Sequence, residues 1–90
     1  MSVDLIDIIF SSKTRLKILK TLMEIKEINI TKLTRMINVN HVVVNYHIDV
    51  LKNLGFIEEK RFGRIRIIKL NESNPKIKSL ERLFEELKGA

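Results

Sequence analysis

The side chains with most chemistry to offer fall between positions 32 and 66. His41, Val42, Val43, Asn45 and Tyr46 stand close together in the chain. An asparagine amide carries a donor beside an acceptor, which matches the paired edge groups of adenine. Valine methyls suit contact with the thymine methyl. Lys32 and Arg35 precede them and offer cations to phosphate oxygens, a contact that positions without specifying. Lys60, Arg61, Arg64 and Arg66 cluster around Gly63. Arginines at such a turn can clamp phosphates or enter a narrow, A/T-rich minor groove. These five residues of the middle segment are therefore the expected base readers, and the six cations the expected backbone contacts.

Other chemistry finds little support. There is no cysteine, which excludes disulfides, thiolate metal sites and cysteine nucleophiles. His41 and His47 are six positions apart, and side chains share a helix face at four, not six. His47 is expected to pack as a hydrogen-bonded residue rather than serve as a ligand. Gly55, Gly63 and Gly89 are scattered, so no loop could cradle a phosphate. The expectation is a non-enzyme without cofactor or metal.

Charge points the same way. The 90 residues hold 17 Lys and Arg against 11 Asp and Glu, a net charge of +6. Residues 1–10 contribute −2 and residues 71–90 balance to zero, which leaves +8 on residues 11–70. A positive field concentrated mid-chain suits a polyanion partner. No apolar run approaches the roughly 18 residues of a membrane span. The N-terminus carries Asp4 and Asp7 and lacks the basic start of a secretion signal. Cytoplasmic residence, away from membranes, is the expectation.

These residues need elements to hold them. The chain is short enough for one domain only. Apolar residues cover 3–10 nearly all round, so a helix there needs cover on most sides. Ser12 can cap a helix over 13–26, with Leu16, Leu19, Leu22 and Met23 on one stripe and Ile18 and Ile25 flanking it. Residues 28–30 read as a small strand. Thr31 can cap a short helix over 32–37. Asn38 and Asn40 suit the turn and the next cap. A longer helix follows over 41–53, with Val44, Ile48 and Leu51 as its buried stripe, and Gly55 suits the position just past its end. Residues 57–61 and 65–70 read as a hairpin turning at Phe62-Gly63-Arg64. The Ile67-Ile68 step breaks alternation and implies a strand covered on both faces or a local bulge. Asn74 and Pro75 open a last helix over 75–88. A short helix, a turn, a longer helix and then a hairpin make a winged helix-turn-helix. The fold class is mainly α with a small β-hairpin wing: residues 11–71 form the core and residues 3–10 and 75–88 the terminal helices.

At this level the chain resembles the ArsR-like winged helix-turn-helix transcription regulators, especially their small archaeal forms. The resemblance rests on Ser12-Lys13-Thr14-Arg15-Leu16-Lys17-Ile18-Leu19, on the stretch from Val44-Asn45-Tyr46-His47 through Leu54-Gly55-Phe56-Ile57, and on Lys60-Arg61-Phe62-Gly63-Arg64 as the wing. It implies a homodimer bound to double-stranded DNA, with the 41–53 helix in the major groove and contact between copies through the terminal helices. The residues expected at that contact are Leu5, Ile6, Ile9, Ile77, Leu80, Leu83, Phe84 and Leu87. Metal-sensing members place paired cysteines in the helix before the recognition helix, or histidines on the last helix. Leu33-Thr34-Arg35-Met36-Ile37 has no thiol, and 75–88 has no histidine. The alternatives are a winged helix that scaffolds proteins in the transcription machinery, or an RNA-binding module.

Overall fold

The computed structural model describes residues 4–89. Five helices and a three-stranded sheet follow the order expected of a winged helix. Asp4 caps α1, Leu5–Phe10, by accepting from the Ile6 amide. Ser12 caps α2, Lys13–Ile25, by accepting from the Arg15 amide at 3.1 Å. Lys26 takes a positive φ and ends that helix.

The next boundary differs from the sequence expectation. Strand β1 is Glu27–Asn29, and Ile30 already belongs to α3, Ile30–Ile37. Asn29 rather than Thr31 is the cap, because its Oδ1 accepts from the Thr31 amide at 2.8 Å. Capping one residue pair earlier lets Ile28 and Ile30 both reach the core, from a strand and a helix respectively.

Asn38, in the left-handed region, ends α3. Asn40 accepts from the Val42 amide at 2.7 Å and starts α4, His41–Asn53. That helix stops in a Schellman motif. The Gly55 amide reaches the Lys52 carbonyl and the Phe56 amide reaches the Leu51 carbonyl. Gly55 has φ +77°, which an L side chain rarely adopts. Leu51 and Phe56, at the two ends of the motif, are both fully buried.

Strands β2, Ile57–Phe62, and β3, Ile65–Leu70, form the wing. The Phe62–Ile65 pair closes a turn of Gly63 and Arg64, with Gly63 at φ +60°. β3 is central, since β1 pairs along its other edge. The register is unbroken, with Ile67 opposite both Lys60 and Asn29, so there is no bulge at Ile67-Ile68. The broken alternation reflects the central position instead: Ile68 is buried in the core and Ile67 half-buried on the other face.

Asn74 caps α5, Pro75–Lys88, whose Ile77 and Leu80 join the core. The core draws Ile18, Leu19 and Leu22 from α2, Leu33 and Ile37 from α3, and Val44, Ile48 and Leu51 from α4. Ile18, expected at the flank of its stripe, is fully buried, while Leu16 and Met23 are only half-buried. Ile9, Ile77 and Leu80 were expected between copies and are instead buried within the monomer. Leu5 and Phe84 also pack against this core. Ile6, Leu83 and Leu87 remain exposed. A helix seam expected to meet a neighbour is thus divided, its first half covered by the chain itself. Among the described residues, no helix is long and apolar enough to cross a membrane.

Candidate nucleic-acid interface

Burial of Val44, His47, Ile48 and Leu51 fixes the rotation of α4. It leaves His41, Val42, Val43 and Tyr46 on the outer side of the first turns. Val42 is 65% exposed and Tyr46 60%. Tyr46 meets the His47 ring edge-on, with centroids 5.1 Å apart. Lys32 and Arg35 lie on the exposed side of α3 and line a shallow groove with Asn29, Thr31 and Met36. Lys60 and Arg64 are exposed on the wing. Among the described residues, none of these four cations forms an ion pair.

Two expected contacts are arranged differently. Arg66 does not offer its guanidinium to solvent. Its Nε and Nη2 donate to the two carboxylate oxygens of Glu59 at 2.8 and 2.9 Å, and its Nη1 donates to Asn45 Oδ1. Asn45 in turn donates from Nδ2 to the His41 carbonyl at 2.8 Å. Both ends of the expected adenine reader are therefore engaged inside the protein. The reason is proximity: Arg66 stands opposite Arg61 on the sheet, on the face turned toward α4.

Glu59 is the hub of this arrangement. Its side chain is only 4% exposed, and it also accepts from Arg61 Nε at 3.0 Å and Lys52 Nζ at 3.3 Å. Chiefly the Arg66 hydrogen bonds, then those of Arg61, hold its carboxyl at about 2, against the opposing effect of burial. The same pairing raises the Arg66 pKa above its ordinary value. Arg61 is well exposed, yet its Nε is committed to Glu59.

A second buried cation was also missed from sequence. Arg15 is buried, although lysines surround it in the chain. Its Nε donates to His47 Nδ1 at 3.3 Å, and its Nη1 donates to the Ile8 carbonyl. α2 thereby ties α1 to α4. Burial first, and the Arg15 charge second, lower the His47 pKa. The signals were present but faint. Arg15 stands at i−3, i−4 and i−7 from Ile18, Leu19 and Leu22, and Glu59 at i+2 from the buried Ile57.

The same fold occurs in solved transcriptional repressors. The family model for bacterial regulatory proteins of the arsR family matches residues 12–59, from the cap of α2 into the wing. The chain belongs to the arsR family. It is a transcriptional regulator with a DNA-binding fold, and not an enzyme. Among solved structures, HlyU from Vibrio cholerae superposes with a TM-score of 0.80 at 17% identity, over 96% of this chain and 89% of that one. The transcriptional repressor PagR of Bacillus anthracis gives 0.68 at 23%, over 82% of each chain. The transcriptional repressor BigR from Xylella fastidiosa gives 0.73 at 23%, over 86% of this chain and 76% of that one. No curated protein matches the chain. Among the described residues, no three His, Cys, Asp or Glu side chains gather closely enough to hold a metal ion.

Proposed function

We propose that this arsR-family protein is a homodimeric, sequence-specific regulator that binds double-stranded DNA, in the cytoplasm where the DNA is. The outward face of α4 carries the reading. Val42 and Val43 are apolar, exposed and uncovered by the monomer, as contacts to thymine methyls in a major groove require. His41 and Tyr46 flank them. Lys32 and Arg35 sit on α3 for phosphates beside that groove, and Lys60 and Arg64 on the wing for the neighbouring backbone or minor groove.

Dimerisation is supported by the apolar surface left at the terminal helices. Ile6, Phe10, Leu83 and Leu87 are exposed. A groove of about 450 Å³ runs between α1, α2 and α5, lined by Phe10, Leu16, Phe84 and Leu87 with lysines at its rim. A two-fold dimer would set the two α4 helices roughly 34–36 Å apart, on successive major grooves.

Salt titration tests the reading. The mid-chain charge and about 6–10 phosphate contacts in a dimer predict a loss of roughly 10³–10⁵ in affinity between about 50 and 200 mM salt. Binding insensitive to salt, or equal binding to A-form duplex RNA, whose major groove does not admit a helix, would overturn it.

A further inference from the structure

A carboxylate at the centre of a surface that meets phosphates needs a reason. Among the described residues, every hydrogen bond to the Glu59 carboxylate comes from a cation that would otherwise be available to DNA: Lys52 on α4, Arg61 on β2 and Arg66 on β3. The bidentate Arg66 pair is the most geometrically demanding of these, because two parallel bonds fix the guanidinium plane. The third corner of that plane, Nη1, holds Asn45 on the reading helix, and Asn45 Nδ2 holds the His41 carbonyl in its first turn. The chain of contacts therefore runs from the wing, through Glu59 and Arg66, to the turn of α4 that carries the exposed valines.

Building on the DNA-binding reading, we propose that Glu59 is a positioning residue for sequence discrimination. It holds the wing and the first turns of α4 in one relative orientation, and it withholds three cations from non-specific attraction to phosphate. Asn45 is a strut in this arrangement rather than a reader of adenine. A carboxylate here raises the ratio of specific to random binding because it stiffens the constellation that matches one sequence, while the three cations it holds are kept from attracting any backbone indiscriminately.

The test uses the full chain and duplexes that the wild type enriches from a randomised pool, compared with random duplex. Glu59→Gln keeps the size and removes the charge. The expected result is tighter binding to random duplex, a plot of log affinity against log salt steeper by about 1–2 as freed cations reach phosphates, and a specific-to-random ratio lower by roughly tenfold. Arg66→Lys keeps the charge and loses the fork. It should lower the ratio while leaving the salt slope close to that of the wild type. In either background Asn45→Ala should change the ratio much less than it does alone, since the strut is already broken. Circular dichroism and thermal melts confirm that each variant is folded, and the Arg66→Lys arm stands if Glu59→Gln is not. If Glu59→Gln shifts affinity for all duplexes equally, Glu59 is only a negative charge and the proposal fails while DNA binding stands. If Asn45→Ala has its full effect on top of Arg66→Lys, Asn45 reads bases directly and the strut is wrong. A wild type that enriches no sequence at all would remove the underlying reading instead.

Discussion

Arg15 and Glu59 are ionic side chains that face inward, and each gathers partners from other elements. Burying a charge is costly unless it is paired and hydrogen-bonded. Glu59 meets that condition with three cations, and Arg15 with a neutral imidazole and a carbonyl. The Arg15 arrangement works only while His47 is neutral, because Nδ1 must accept. Protonation would set a second positive charge against Arg15. Burial first, and the Arg15 charge second, hold the folded-state pKa of His47 below its ordinary 6.5. A group whose pKa is depressed by folding contributes stability that is complete above its unfolded pKa and lost as the pH falls below it. Urea unfolding should therefore show wild-type stability falling as the pH drops below 6.5. In His47→Gln the neutral acceptor is retained without a titrating proton, and the fall should be shallower. Equal falls in the two proteins would show that His47 stays uncoupled from folding.

At the level of elements, α4 shows how local signals place a reading surface. Its limits, His41–Asn53, agree with the sequence expectation at both ends. Asn40 satisfies an orphan amide at the start, and Gly55 supplies the left-handed residue after the end. Asn40→Ala should cost about 1 kcal/mol of stability, and Asn40→Gly only a few tenths, measurable by denaturant titration. Because the frayed turn holds His41, Val42 and Val43, the alanine variant should also lose DNA affinity under conditions where it stays folded. Unchanged affinity would place the reading surface elsewhere on the helix. At α3 the same reasoning picks the wrong cap. Asn29 and Thr31 are both competent, and only the need to bury Ile28 and Ile30 together selects Asn29.

Across the whole molecule, the apolar terminal helices divide into a part that completes the monomer and a part that does not. Leu80 is 9% exposed and Leu87 62%. A charge at Leu80 would be buried in the core, so Leu80→Glu should unfold the chain rather than report on assembly. Leu83→Glu with Leu87→Glu alters exposed positions on the same helix. It should give a folded monomer by sedimentation and circular dichroism, with much weaker DNA binding because two half-sites are no longer engaged together. A wild type that sediments as a monomer at micromolar concentration would refute the dimer directly.

Element type, order and most boundaries were set by short-range information: caps two or three residues from the amides they satisfy, apolar spacing of three and four, and glycines where φ must be positive. Such interactions act within one helix or one turn and can be read without knowing the fold. The destination of individual side chains could not be read this way. Arg66 and Asn45 are 21 positions apart and Arg15 and His47 are 32 apart. The sequence marked Arg35, Arg61, Arg64 and Arg66 alike as candidates for phosphate and singled out no role for Arg15. Packing then brought a carboxylate to Arg66 and an imidazole to Arg15, and left Lys32, Arg35 and Arg64 facing outward. The same holds for the apolar stripe of α5. Periodicity identifies a face that avoids water, but only the assembled neighbours decide whether that face is covered by its own core or left open for a second copy.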